Sequence, residues 1–231
     1  MNKYSLFESF AFGQTQMAES ETGLTRRDRE REQHRSDILA AAEMVFVRDG
    51  FSTKIETVAK EAEYSVGSIY NFFPSKDDLF KNVLLRISQL RVKDVERVLP
   101  DLCADPWTGL RTVCHFWLEH HLQHGDFLNI ARSQHFSKKG GLLPHDDPIG
   151  SQVFENGENY RALMLKFFSA LEATPEARKI GAEIMFVAFE GYIRTSLFTA
   201  FHYGHGKVEP RRLEDDVYQA VCKLFRNQVA S

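Results

Sequence analysis

Residues 65–80 read SVGSIYNFFPSKDDLF, a stretch that alternates small with aromatic residues and carries no Lys or Arg before Lys76. Ser65 is suited to cap a helix, because its hydroxyl can accept one of the unpaired N–H groups of the first turn. Pro74 pushes Phe73 out of the α region, so that helix is confined to about two turns and ends at Phe72 or Phe73. Ser75 then caps another helix, with Asp77 and Asp78 in its first turn, where the helix dipole favours anions. A short helix so bounded, with Ile69 and Phe73 on one side and Gly67 and Ser68 keeping the other side low, is built to lie between two surfaces.

The flanking sequence supplies the first surface. From Ser36, the residues Ile38, Ala41, Ala42, Val45 and Phe46 recur at helical spacing, and Gly50 ends the element. A second helix is expected from Thr53, its side-chain N-cap, through Ile55, Val58, Ala59 and Ala62. The three residues Glu63-Tyr64-Ser65 then turn into the short helix. Two short helices joined by such a turn, with a third packed across them, make a helix-turn-helix. Its second helix enters a DNA major groove about 12 Å wide, which accounts for the small outer residues. Val66, Ser68 and Asn71 are the expected base contacts, since Asn can pair with adenine and Val can touch a thymine methyl. Gly67 allows close approach. Thr53, Lys54, Ser65, Tyr70 and Lys76 are the expected phosphate contacts.

Residues 35–90 resemble the DNA-binding domain of the TetR family of bacterial transcriptional regulators. The resemblance rests on ILAAAEMVFVRDGF (38–51, with Gly50 before Phe51), on VAKEA (58–62), and on SVGSIYNFFPSKDDLF. The last follows the family pattern Ser-x-Gly-x-Leu/Ile-Tyr-x-aromatic-Phe-x-Ser-Lys-x-x-Leu. Two departures stand out: the link from Gly50 to Ala59 is one residue shorter than usual, and Glu63 stands where the family generally has Gly. The resemblance implies a homodimer on a near-palindromic operator in double-stranded DNA. It also implies a C-terminal domain, residues 76–231, that dimerises and binds a small-molecule effector whose binding tilts the fourth helix. The DNA-binding domain is expected over 25–75, after a disordered tail over 1–24.

The rest of the chain reads as helix throughout, so the expected class is all-α. The fourth helix, with the stripe Leu79, Val83, Leu84, Ile87 and Leu90, is expected to end near Pro100. A helix from Pro106 to about Gly125 follows, then a shorter one over 126–136, and a Gly- and Pro-rich loop over 137–148. A long helix spans Val153 to Leu171. Another opens at Thr174-Pro175, runs to about Tyr203 apolar on nearly all sides, and closes at Gly204 and Gly206. Pro210 opens the last, to about Gln228. The final two helices are apolar beyond the needs of one core, which suits a four-helix interface between subunits.

Polar or aromatic residues on apolar stripes mark the expected effector pocket: Trp117, His121, Gln134, Tyr160, Met164, Glu190, Arg194 and Thr195. With 19 Phe in 231 residues, the effector is expected to be apolar or aromatic. His115, His120, His121 and His124 raise a metal reading, His120 and His124 being four apart. No acidic partner lies in the same motif and the pair falls at the stripe's edge, so no metal or other cofactor is expected. A helical metal enzyme is the remote alternative, and a DNA-binding protein whose C-terminal domain docks a protein partner the nearer one.

Bulk composition excludes little. Net charge is −3. Between Leu24 and Arg91, 12 Lys and Arg face 11 Asp and Glu, so affinity for DNA must rest on a few placed cations, including Arg26, Arg27, Arg29 and Arg31 of the charged run TRRDREREQHR. That run reads as a solvated helical extension or as a basic arm along DNA. Three scattered cysteines (Cys103, Cys114, Cys222) indicate reduced thiols and a cytoplasmic protein. The longest apolar run, 184–189, is far short of the ~20 residues of a membrane span, and the first residues lack the pattern of a signal peptide.

Overall fold

The structure, a computed structural model, describes residues 25–139, 147–203 and 209–227. The expected tail over 1–24, most of the expected loop, and Gly204 and Gly206 lie outside the described residues, as do the side chains of 132–139, 201–203 and 210. The described residues form eight helices: α1 Arg26–Asp49, α2 Ile55–Ala62, α3 Val66–Phe72, α4 Lys76–Ala104, α5 Pro106–Lys139, α6 Pro148–Ala173, α7 Ala182–Tyr203 and α8 Pro210–Phe225. The all-α class follows, with a helix-turn-helix at the N-terminal end and a helical bundle behind it.

Local signals set most ends. Ser65 and Ser75 accept hydrogen bonds from the backbone N–H groups of Ser68 and Asp78, capping α3 and α4. Gly50 closes α1 at φ 76°, a conformation that favours glycine. The charged run is helical, with Thr25 and Asp28 forming a reciprocal capping box at its start. The run is thus a helical extension of α1, with Arg26, Arg27, Arg29 and Arg31 exposed on it.

Four expected helix boundaries fail, the last three for a non-local reason. The cap of α2 is Lys54, and no side chain caps it, whereas Thr53 was expected to do so. Helix α4 continues through Pro100 to Ala104, because Leu102 packs where α5 begins. A Cβ on Gly109 would stand 2.6 Å from the Leu102 carbonyl, so only glycine allows this approach. Helix α5 is unbroken at Gly125, because Phe127 and Ala131 beyond it are fully buried and their packing outweighs a glycine's cost of about 1 kcal/mol. Thr174-Pro175 does not open a helix. Residues 176–178 pair with the chain after α8 through Arg178 N–H to the Phe225 carbonyl (2.8 Å) and Asn227 N–H to the Glu176 carbonyl (2.8 Å), which delays α7 to Ala182.

Two apolar clusters divide the molecule. One gathers Ile38, Leu39, Phe46, Val58, Ile69, Phe73, Phe80, Val83 and Ile87 with Phe127 and Ala131 of α5. The other runs from Val92 through Trp117, Tyr160, Phe168, Phe189 and Val221. Helices α4 and α5 therefore serve both, and the change falls inside α4 between Ile87 and Val92. Leu90, expected on the stripe, is exposed there. Helix α7 is not buried all round, since Ile184 (60% exposed), Val187 (65%) and Phe198 (52%) form an outer apolar stripe. No described helix is long and apolar enough to cross a membrane.

Glu63 adopts the left-handed conformation (φ 61°, ψ 32°) at the end of α2. A side chain there is strained, so Glu63→Gly is expected to raise the unfolding free energy by about 0.5–1 kcal/mol. A urea titration showing an unchanged or lower midpoint would contradict this.

Candidate nucleic-acid interface

The seven residues of α3 are held from behind. Ile69 and Phe73 are buried in the N-terminal cluster, and Tyr70, Asn71 and Gly67 are exposed on the opposite side. Val66 and Ser68 are half-buried beside them. The Ser68 hydroxyl lies 2.8 Å from that of Ser65, so both belong to the cap as well as to the outer face. A Cβ on Gly67 would meet only the Ser65 hydroxyl at 3.8 Å, so the backbone here is low because nothing covers it. A helix two turns long, rigidly backed and slim in front, fits the geometry of a groove reader.

Four of the five expected phosphate contacts come together. Thr53, Lys54, Tyr70 and Lys76 line an open groove of about 410 Å³, together with Ser52, Ile55 and Glu56. Ser65 is outside it, at the start of α3. Lys76 has a structural task that sequence reasoning missed. Its ammonium donates to the carbonyls of Phe51 (2.8 Å) and Thr53 (3.0 Å) and sits 4.7 Å from the Phe51 ring centre. It thus fixes the turn between α1 and α2, and with it the groove wall.

The arginines of α1 divide. Arg26 pairs with Glu30 at 2.8 Å, while Arg31 and Arg35 lie over the Phe72 and Phe73 rings (5.8 and 5.5 Å). Arg35 also donates to Asn82 at 2.6 Å, joining α1 to α4.

The expected pocket residues do not form one set. Trp117, Tyr160 and Met164 are buried in the second cluster, where the Trp117 indole N–H donates to the Tyr160 hydroxyl and the His121 ring stacks on Trp117 at 4.0 Å. Burial raises the Tyr160 pKa, so the phenol stays neutral. Glu190 is half-buried, and burial raises its carboxyl pKa against the pull of Arg91 and Arg194. Arg194 and Thr195 face outward on α7, contrary to the expectation of burial; the reason is that this side of α7 has no covering element among the described residues. Arg194 reaches Glu190 at 3.7 Å. The Gln134 side chain lies outside the described residues.

The histidines sit deeper than their place at the stripe's edge predicts. His120 is 8% exposed, and burial, with His124 and Arg91 nearby, lowers its pKa to about 2, leaving it neutral. His124 pairs with Glu43 of α1 at 2.5 Å, and Glu43 also meets Arg86 of α4 at 3.5 Å. His115 lies between Glu214 (2.8 Å) and Glu119 (3.5 Å). Glu43 and Glu214 come from helices remote in sequence, which a search within the motif misses, whereas Glu119 lies four residues from His115 on α5 itself, so the expectation of no acidic partner in the motif fails there. Among the described residues no three His, Cys, Asp or Glu side chains are grouped to hold a metal ion.

Architecture and site together define a helix-turn-helix protein of the DNA-binding class. Residues 38–83 match the sequence profile of the bacterial regulatory proteins of the tetR family. The chain is 31% identical over 109 residues to the HTH-type transcriptional repressor NicS of Pseudomonas putida, a match covering 47% of this chain and 51% of that protein. It thus spans about half the length of the curated relative it matches. Among solved structures, a transcriptional regulator from Aquifex aeolicus shares the fold at 19% identity over 83% of this chain and 99% of the other, with a TM-score of 0.57. A protein of Saccharomonospora viridis solved in complex with choline does so at 14% identity over 85% and 100%, with a TM-score of 0.66. Over residues 38–83 the chain thus resembles the DNA-binding region of the tetR family, and its fold is shared with solved regulators of that kind.

Lys76→Met keeps the stem of the side chain and removes both carbonyl contacts. It should lower stability by about 1–2 kcal/mol, because two charge-assisted hydrogen bonds are lost. The urea midpoint should fall with the slope unchanged; equal midpoints would mean that the turn is held by Phe51 packing alone.

Proposed function

We propose that the chain is a homodimeric, sequence-specific DNA-binding repressor that a small molecule releases from its operator, acting in the cytoplasm and not as an enzyme. The observation that carries the reading is that α3 is backed by buried Ile69 and Phe73 and leaves exposed Asn71 and Gly67, with half-buried Val66 and Ser68, on its outer side; on this reading Val66, Ser68 and Asn71 meet base edges. Thr53, Lys54, Ser65 and Tyr70 hold the phosphates on either side, and Lys76 shapes the groove they form. A near-palindromic, double-stranded operator follows from two such units related by a two-fold axis.

The outer face of α7 supports the dimer. Ile184, Val187, Gly191, Thr195 and Phe198 fall on one stripe, continued by exposed Leu224 of α8. Isolated exposed apolar residues are ordinary, but a stripe along a whole helix is a surface to be covered. The same stripe on a second copy, packed across the axis, completes a four-helix interface. A fold relative holding choline supports a small-molecule effector here too. The effector must favour the dimer geometry that does not fit DNA, since only differential affinity shifts the equilibrium.

Selection of bound duplexes from a random pool at ~150 mM salt is the direct test. Enrichment of a two-fold-symmetric motif is expected; no enrichment by the ligand-free protein would sink the reading. Against that motif, Tyr70→Phe should weaken binding to all sequences alike, whereas Asn71→Ala should change sequence preference. Val187→Arg should convert the dimer to monomer in sedimentation and lower operator affinity at least tenfold. A dimer that survives this change would place the interface elsewhere.

A further inference from the structure

Arg91 stands where α4 passes from one apolar cluster to the other, and it is the cation the sequence pattern does not flag. Its guanidinium carbon lies 4.1 Å from the centre of the buried Tyr160 ring. The Nε–H has no exposed surface and no hydrogen-bond partner, the one such side-chain atom among the described residues. Leaving a charged donor so placed is unfavourable, by more than for a neutral group. Glu190 senses its charge, but that carboxylate is already engaged with Arg194 at 3.7 Å. His120, the third neighbour, is held neutral by burial. With Glu190 paired to Arg194 and His120 neutral, the charge of Arg91 is left uncompensated beside the aromatic rings of Tyr160, Trp117 and Phe186.

We propose that Arg91 anchors the effector, and that the effector is a monoanionic organic acid whose carboxylate takes the unpaired Nε–H of Arg91 while its apolar body lies against Tyr160 and its aromatic neighbours. The proposal rests on the ligand-released reading above and narrows its effector class. A guanidinium offers a carboxylate two parallel N–H bonds, and the pair is strongest where water is excluded. A phosphate dianion would leave one charge unmatched, because the adjacent imidazole is neutral. A quaternary ammonium is disfavoured, because the cation position over the Tyr160 ring is filled by Arg91 itself. The anchor also lies on α4, the helix that starts at the Ser75 cap directly after α3. Drawing Arg91 off the Tyr160 ring therefore acts on the element that positions the groove reader.

The test uses the full chain and matched pairs of an acid and its primary amide: benzoate and benzamide, indole-3-acetate and indole-3-acetamide, hexanoate and hexanamide. Melting temperature is read for the native chain, for Arg91→Gln, and for Lys93→Gln as a control that removes an exposed cation from the same helix. At least one acid should raise the melting temperature by about 5 °C at a hundredfold excess over its Kd. Its amide should give under a third of that shift, Arg91→Gln should abolish the response, and Lys93→Gln should keep it. Without ligand, Arg91→Gln should melt no lower than the native chain, since it removes an unsatisfied charge; an arginine with a merely structural role would melt lower when replaced. No shift with any acid, equal shifts with the amides, or a response that survives Arg91→Gln would each overturn the proposal. None of these readouts involves DNA. Their failure beside an enriched operator leaves the DNA-binding reading standing, and an acid response without an enriched operator leaves the site standing alone.

Discussion

Phe80 holds the molecule together at the point where its two halves meet. Its ring packs edge-on against Phe46 of α1 (5.2 Å) and Phe51 of the α1–α2 turn (5.0 Å), and against Phe127 of α5 (4.7 Å). Each such contact adds about 0.5–1.5 kcal/mol beyond area burial. What matters more is the topology: one side chain of α4 fixes the helix-turn-helix, the turn that forms its groove, and the helix that reaches back into the C-terminal bundle. The recognition helix is too short to define its own orientation. It inherits one from Ile69 and Phe73, which rest on the same cluster as Phe80.

Around that apolar junction runs a ring of polar fasteners that set register. Lys81 of α4 pairs with Asp147 at 2.6 Å, and Asp147 also caps α6, so the start of α6 is tied to α4. The Lys81 contact holds the Asp147 carboxyl below the usual carboxylate range. Glu43 joins α1 to His124 of α5 and Arg86 of α4. Half-buried ion pairs contribute little net stability, because desolvation offsets attraction, yet a misplaced partner leaves a charge unpaired. Their effect is to penalise sliding of α4 and α5 past α1.

The elements legible in the sequence are those whose ends are decided within four residues. Ser65, Ser75 and Gly50 each act on their own turn, and the small-aromatic alternation of α3 needed no knowledge of the rest. Gly125 and Pro100 misled because their local cost is outweighed by Phe127 and Leu102, whose partners are far away in sequence. For α7, apolar content was legible but its destination was not: a residue fit for a core is equally fit for a subunit interface. The pocket was the least legible part. His120 is distinguished by its burial and Arg91 by the polar groups that fail to reach its Nε–H, and neither leaves a trace in residue spacing.

The near balance of charge in the DNA-binding region bears on how regulation can work. A strongly basic reader binds any duplex through counterion release, and an effector must then overcome that sequence-independent attraction before it frees the site. Here Arg26, Arg31 and Arg35 are engaged within the protein, and Lys76 is occupied by two carbonyls. Arg27, Arg29, Lys54 and Lys60 stay exposed, so some non-specific attraction remains, but in the proposed dimer most of the affinity would come from both recognition helices meeting their half-sites together. In the dimer proposed above, a modest tilt of α4 that changes only the spacing of the two helices would remove most of the binding energy. The stiff Phe80 junction matters for the same reason: a flexible joint would absorb the tilt, whereas a rigid one carries it to α3.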